Sequence, residues 1–415
     1  MKGVGNLATE KNITMKQFNG TDYDTLYPKT KVEQVEGAYT QQQILADSTK
    51  ALFGLSNDAV PDDVFSLLGN YIPSPFGLLI VRVSDSNGNG VPAKINVSPS
   101  VGEVSTFFVS DRGFYSILCE PGIYTLTPSE AYPFTTVSTG AQQVTVKEGI
   151  PIVVDFSAMK NEHGEYDYTE SDEVLVPNFV TDLDLFVVGG GASGSISATS
   201  SAGGSYGGGG GYTNTLLNQN LANKLLKIIV GSGGVPATLE ITSSDSPTAK
   251  TANPGGKTSV SVNGSEILVA NGGNGNKGGS GGGHGKVIIG NPMTIIKGNG
   301  GSDGSNGENG GTGQGTTTRK FGESGNTLYA SGGGGSCYHK VAGTAHKGAG
   351  TAGPGGGDGT VIATISKTGT YTGKSATTLG SGGGGLKIGG TSGTEVYPIT
   401  LRSGAGAPGM VSLRW

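Results

Sequence analysis

The chain has 415 residues, a net charge of −5 and a sequence pI near 5.5. It carries no basic stripe and no aromatic ladder in a basic groove, which removes the electrostatic basis for nucleic-acid binding. No apolar run approaches the roughly 18 residues needed to cross a bilayer, so membrane insertion is not expected.

Residues 1–35 are polar with scattered aromatics, Phe18, Tyr23 and Tyr27, and read as an extended arm that needs a partner. The opening MKGVGNLATEKNITMKQFNG lacks the uninterrupted apolar core of a signal peptide, so synthesis in a reducing cytosol is expected. Cys119 and Cys337 should then be free thiols. A helix is predicted over 40–54. Thr40 and Gln43 form a capping box, Ile44, Leu45, Leu52 and Phe53 share helical spacing, and Gly54 stops it. A second is predicted over 60–69, with Pro61 at its first position, Asp62 and Asp63 in its first turn, and Gly69 as its stop. Two such helices bury too little surface to stand alone, so residues 1–72 read as an attachment region.

From 76 to 159 the pattern changes to short strands divided by turns: GLLIVRVSD, PAKINVSP, STFFVSD, FYSILC, IYTLTPS, AQQVTVKEG and PIVVDFSAM. That pattern predicts a small antiparallel β-sandwich. The order of strand, NGNGVPAKI, strand and SDRGFYSILCEPGIYTL resembles the transthyretin-like modules called carboxypeptidase regulatory-like domains. The resemblance implies a rigid spacer or a carbohydrate-binding addition rather than a catalytic unit. Residues 160–173, KNEHGEYDYTESDE, are polar and acidic and read as a linker, with His163 in solvent.

Beyond the linker the composition changes, because 63 of the 78 glycines fall between 185 and 415. DLDLFVVGGGASGS, residues 182–195, has a strand followed by Gly189, Gly191 and Gly194 at the spacing of a dinucleotide fingerprint. The fingerprint requires a helix next, yet the chain continues SISATSSAGGSYGGGGGYTN, and no acidic residue follows until Glu240. A dinucleotide cofactor is therefore excluded. Gly256, Lys257 and Thr258 imitate the end of a phosphate loop but lead into VSVNG, a strand rather than a helix. Asp303 stands almost alone where calcium-binding repeats need a recurring pattern. Cys337, His339 and His346 offer three ligands at irregular spacing where structural zinc needs four. No metal and no cofactor are expected.

The glycine runs are interrupted by EVLVP, LDLFVV, KLLKIIVG, KTSVSV, EILVANGG, KVIIG, TVIATIS and GMVSLRW, which read as strands of a β-core. Left-handed extended helices with three residues per turn, side by side and bonded to each other, would give the glycines a structural purpose. The fold class expected is mainly β: a short helical N-terminal region, the sandwich, and over 174–415 a glycine-rich β domain with polyglycine II-type helices.

VLVPNFVTDLDLFVVGGGASGS resembles the entry of the glycine-rich domain that ends many bacteriophage tail-fibre and receptor-binding proteins. The closing GAPGMVSLRW resembles that family's last strand, and KQFNGTDYDTLYPKTKVEQV resembles tail proteins of phages and prophages of Gram-positive hosts. The resemblance implies an elongated homotrimer, assembled in the host cytoplasm and acting extracellularly as part of a virion tail. Its partners would be baseplate or tail proteins through residues 1–72 and a host cell-surface receptor, glycan or protein, through the C-terminal domain. Aromatic side chains suit such a surface because they offer rigid apolar area with a polar handle. The candidates are Tyr206, Tyr212, Tyr329, Tyr338, His339 and Tyr371, and no catalytic residue is expected. A glycan depolymerase would need a carboxylate pair. Asp303, Glu308, Glu323 and Asp358 lie in glycine contexts with no rigid scaffold for one. A structural tail component that binds nothing is the other alternative.

Overall fold

A computed structural model of the chain describes residues 72, 75–198, 203–243, 249–365, 368–389 and 397–415. The helices expected at 40–54 and 60–69, and nearly all of the 1–72 attachment region, lie outside the described residues. The chain divides into two compact units, one ending at Asn161 and one running from Glu162 to Trp415.

In the first unit eight strands form two four-stranded sheets. They are β1 Gly77–Ser84, β2 Ala93–Val101, β3 Val104–Val109, β4 Phe114–Cys119, β5 Gly122–Pro128, β6 Thr135–Val137, β7 Gln142–Val146 and β8 Pro151–Lys160. The sheet orders are β4-β1-β8-β6 and β3-β2-β5-β7. The seven strands expected from sequence are present, and β6 is an addition too short to show as a pattern. One pairing departs from the all-antiparallel expectation, because β8 lies parallel to β1 with Leu79 opposite Ile152 and Val81 opposite Val154. The long 85–150 excursion between them lets the last strand return in the same direction as the first. Alternation turns Leu79, Val81 and Val83 of β1 and Val154, Phe156 and Ala158 of β8 into one core with Ile95, Phe107, Leu126 and Cys119. Burial pushes the Cys119 thiol up to about 11, so it is an inert apolar filler.

The second unit begins earlier than composition suggests. The acidic stretch 160–173 contains the strand Glu165–Tyr168 and runs into a second, Asp172–Leu175. The first pairs with Met410–Arg414, whose other edge pairs with Leu183–Val188, so entry and exit strands lie in one sheet. Gly164 and Trp415 exchange both backbone hydrogen bonds, at 3.0 and 3.1 Å. The acidity has a partner that no local window shows. Lys320, 8% exposed, places its ammonium against Glu165 and against Asp167 at 2.6 Å. Burial pulls the Lys320 pKa down, but hydrogen bonds to the Asp167 and Glu165 carboxylates outweigh it and hold the group above its ordinary value.

From Val188 the chain leaves the sheet and its hydrogen bonds fan out in three directions. Gly189, Ala192 and Ser195 donate to Tyr212, Gly209 and Tyr206; Gly190 and Ser193 donate to Gly256 and Asn253; Gly191 and Gly194 donate to Ala407 and Gly404, all at 2.9 Å. Every third residue returns to the same neighbour, which is the signature of a helix with three residues per turn. Segments around 207–211, 280–285, 331–335 and 381–385 repeat the pattern. Gly208, for instance, donates to Gly383 and accepts from Gly333.

The glycines of this array are required by space. A Cβ on Gly207, Gly208, Gly210 or Gly211 would lie between 1.9 and 2.2 Å from a backbone oxygen of the adjoining segment, and none of these residues has positive φ. Side chains survive where an outer face or an end permits them, as in the apolar cluster of Ile196, Leu239, Ile241, Leu386, Ile399 and Leu401.

Candidate functional site

The array holds two ends of the domain apart. Val188 pairs with Thr213 and with Met410, and moving along 189–195 the partners count down to Tyr206 and Gly404. One end therefore carries the entry and exit strands together with Asp172–Leu175, Leu225–Ile229, Thr258–Val262 and Ser265–Ala270. The other end begins at Ile196, which pairs with Lys250 and Leu386. It includes the hairpins of Lys286–Ile288 with Thr294–Ile296 and of Ser336–Val341 with Thr344–Ala349. Gly285 donates to Ser205 and Ser336 pairs with Ser205, which fixes both hairpins to this far end.

The six expected contact residues separate accordingly. Tyr212 and Tyr329 lie at the entry end. Tyr329 is 8% exposed and packs at 5.8 Å from the Phe186 ring, in a cluster with Phe321 and Met410. Tyr338 lies at the far end but is 4% exposed, with its ring where a Cβ on Gly389 would be, 2.3 Å away. Tyr338 fills space that Gly389 leaves beside it, and Tyr329 packs within the apolar cluster, so both rings are largely enclosed. Tyr206, His339 and Tyr371 are half-buried at the far end. The Tyr206 ring meets His284 edge-on at 6.0 Å, its amide donates to Ser195 Oγ at 2.9 Å, and its hydroxyl accepts from Ala252. Burial, with the Lys286 charge, holds His284 below the ordinary histidine value. Tyr371 lies against the Ile196 cluster, on a strand parallel to Ile399–Arg402. Large apolar side chains are exposed at the far end as well: Ile288 at 44%, Ile289 at 67% and Val341 at 40%.

The carboxylates considered for glycan cleavage each hold a different turn. Asp303 accepts from Thr317 Oγ1 and the Thr318 amide and pairs with Arg319 at 3.1 Å. The Thr317 hydroxyl chiefly keeps it below the usual carboxylate range. Glu308 accepts from the amides of Gly298 and Asn299, Glu323 from Asn326 and Arg414, and Asp358 from the Ala352 amide and Lys374.

Two further features lie at the far end. Lys387 is fully buried on Leu386–Ile388, donates to Ser197 Oγ at 3.1 Å, and is pulled by burial to about 8. His339 stands directly opposite His346 in its hairpin.

The sequence matches the glycine-rich domain family over residues 168–415. The chain belongs to that family. The glycine-rich domain thus spans the array, both of its ends, and the Glu165–Tyr168 edge from Tyr168 onward. No curated protein matches the chain. Among solved structures it is similar to a streptococcal ancillary pilin at 10% identity and a TM-score of 0.19, covering 55% of this chain and 62% of that one. It is similar to the Bacillus anthracis TIE protein at 12% identity and a TM-score of 0.19, covering 45% of each chain. A DUF3823 family protein from Parabacteroides merdae gives 12% identity and a TM-score of 0.17, covering 48% of this chain and 99% of that one. Such scores do not define a shared fold.

Proposed function

We propose that the chain is a tail fibre or receptor-binding protein of a bacteriophage or phage-tail-like particle, and that its glycine-rich domain attaches the particle to the host cell surface. The observation that carries this reading is the separation of the two ends of the domain. The array is held by backbone bonds that leave it no choice of neighbour spacing, and it presents loops and hairpins at the end opposite chain entry. Exposed Ile288, Ile289 and Val341 give that end the apolar surface of a contact patch. Half-buried Tyr206 and Tyr371 add rings there. The resemblance of the entry strand, the last strand and the N-terminal segment to phage tail proteins supplies the setting, with residues 1–72 mounting the chain on the tail and a homotrimer as the working form. The hydrogen-bonded state of Asp303, Glu308, Glu323 and Asp358 favours attachment over glycan cleavage.

The test is binding of the fluorescently labelled full chain to a panel of Gram-positive cells, with mass in solution and released reducing sugar recorded on the same samples. Saturable binding without sugar release, lost in an Ile289→Asp, Val341→Asp variant that stays folded, is expected. Sugar release would replace attachment with depolymerase activity, and a folded chain that binds no cell would leave a structural tail component.

A further inference from the structure

The hairpin of Ser336–Val341 and Thr344–Ala349 carries a pairing that the attachment reading does not use. Its connection is two residues long, Ala342 and Gly343, with φ of 46° and 87°. Positive φ at both central residues is the turn type whose twist matches a two-stranded hairpin, and it fixes the register. Val341 then stands opposite Thr344, Lys340 opposite Ala345, and His339 opposite His346. Directly opposed residues share a face, with Cβ atoms about 4.5–5.5 Å apart. Cys337 and Gly348 lie one step further along that face, where a Cβ on Gly348 would meet Ile295 and the Cys337 sulfur. Both imidazoles are half-buried, and Nδ1 of His339 is enclosed without a hydrogen-bond partner.

We propose that His339 and His346 form a two-imidazole site for a divalent transition-metal ion of the zinc, nickel or copper kind. The sequence offers both histidines at irregular spacing, and the turn folds one strand back so that they stand opposed. Imidazole nitrogens select these ions over calcium or magnesium, which prefer oxygen. Cys337 is not a ligand. Its sulfur is buried and turned to the Ile296 carbonyl at 3.4 Å. Among the described residues no group of three or more histidines, cysteines or acids converges. Water therefore fills the remaining positions, and the site is open and weaker than a four-ligand structural centre. Lys340 and Lys347 occupy the opposite face of the hairpin and do not compete for the imidazoles.

The experiment is calorimetric titration of the tag-free full chain with zinc chloride and with nickel chloride, and a copper(II) electron paramagnetic resonance spectrum of the same protein. One saturable site per chain is expected, with nitrogen hyperfine structure from two imidazoles. Affinity should fall roughly tenfold or more in His339→Ala and in His346→Ala, and stay unchanged in His163→Ala. Circular dichroism of each variant confirms its fold. No saturable binding, or affinity that survives the double His339→Ala, His346→Ala variant, would overturn the proposal.

Discussion

The sandwich, at its turn glycines Gly88 and Gly102, and the glycine-rich domain, at its array glycines 207–211, use glycine in opposite ways. In the sandwich, Gly88 and Gly102 sit in turns at φ of 82° and 58°, and an added Cβ would meet nothing within 4 Å. Their value is conformational. In the array, 207–211 has ordinary φ, and an added Cβ would strike a neighbouring backbone. The sandwich excludes water with side chains such as Leu79, Phe107 and Phe156, whereas the array excludes it by closing backbone on backbone. Both satisfy their amides and carbonyls, one through ladders and the other through bonds radiating in three directions. A tightly packed interior can therefore be built with almost no side-chain information.

The strongest way to break this comparison is Gly208→Ala. Its Cβ would lie 2.1 Å from the Ala192 carbonyl oxygen. The array cannot yield without separating segments on several sides, so a loss of about 4 kcal/mol or more is expected. Hydrogen exchange resolved by region should show lost protection over 189–212 and unchanged protection over the sandwich. Phe156→Ala is the converse. It empties a fully buried position in the sandwich and should cost about 3–4 kcal/mol there, leaving exchange in the array unaltered. Equal loss in both regions from either change would dissolve the distinction.

A third probe is pH. Lys387 has a folded value near 8 against an unfolded value near 10.4, so between those values the unfolded chain binds the extra proton. Stability of the glycine-rich domain should then rise as pH increases from 8 to 10.4, and the full cost of the buried ammonium applies below 8. Lys387→Met should flatten that rise and stabilise the domain at pH 7 by about 2 kcal/mol, seen in urea unfolding curves at a series of pH values. The smallest effect concerns the hairpin turn, where Ala342 holds φ of 46°. Ala342→Asn, which tolerates that conformation, should add about 0.5 kcal/mol and raise the melting temperature slightly.

These contrasts also explain what the sequence could and could not disclose. Leu183–Val188 was legible from its apolar run into glycine and Thr258–Val262 from its polar–apolar alternation. The three-residue helices were legible by elimination, since GGGGG can form neither a stable α-helix nor a side-chain core. Which segment lies beside which was not legible, because a glycine carries nothing that names its neighbour. Glu165–Tyr168 was read as a linker because its exposed Glu165 and Asp167 hide the Tyr166 and Tyr168 alternation, and their counter-ion Lys320 is more than 150 residues away. Tyr329 and Tyr338 resembled surface aromatics because glycine surrounds them in sequence. In the fold, Tyr338 lies against Gly389, distant in sequence, and Tyr329 packs with Phe186, Phe321 and Met410. The paired histidines depended on a two-residue turn that linear spacing does not reveal.

The bonding of Gly164 to Trp415 has a consequence for how such a domain changes over time. Because the first and last strands of the domain lie side by side, the loops at the opposite end can lengthen, shorten or be exchanged without moving those strands. The domain behaves as a cartridge: its backbone-bonded body is constrained residue by residue, and its outer rim is free to drift.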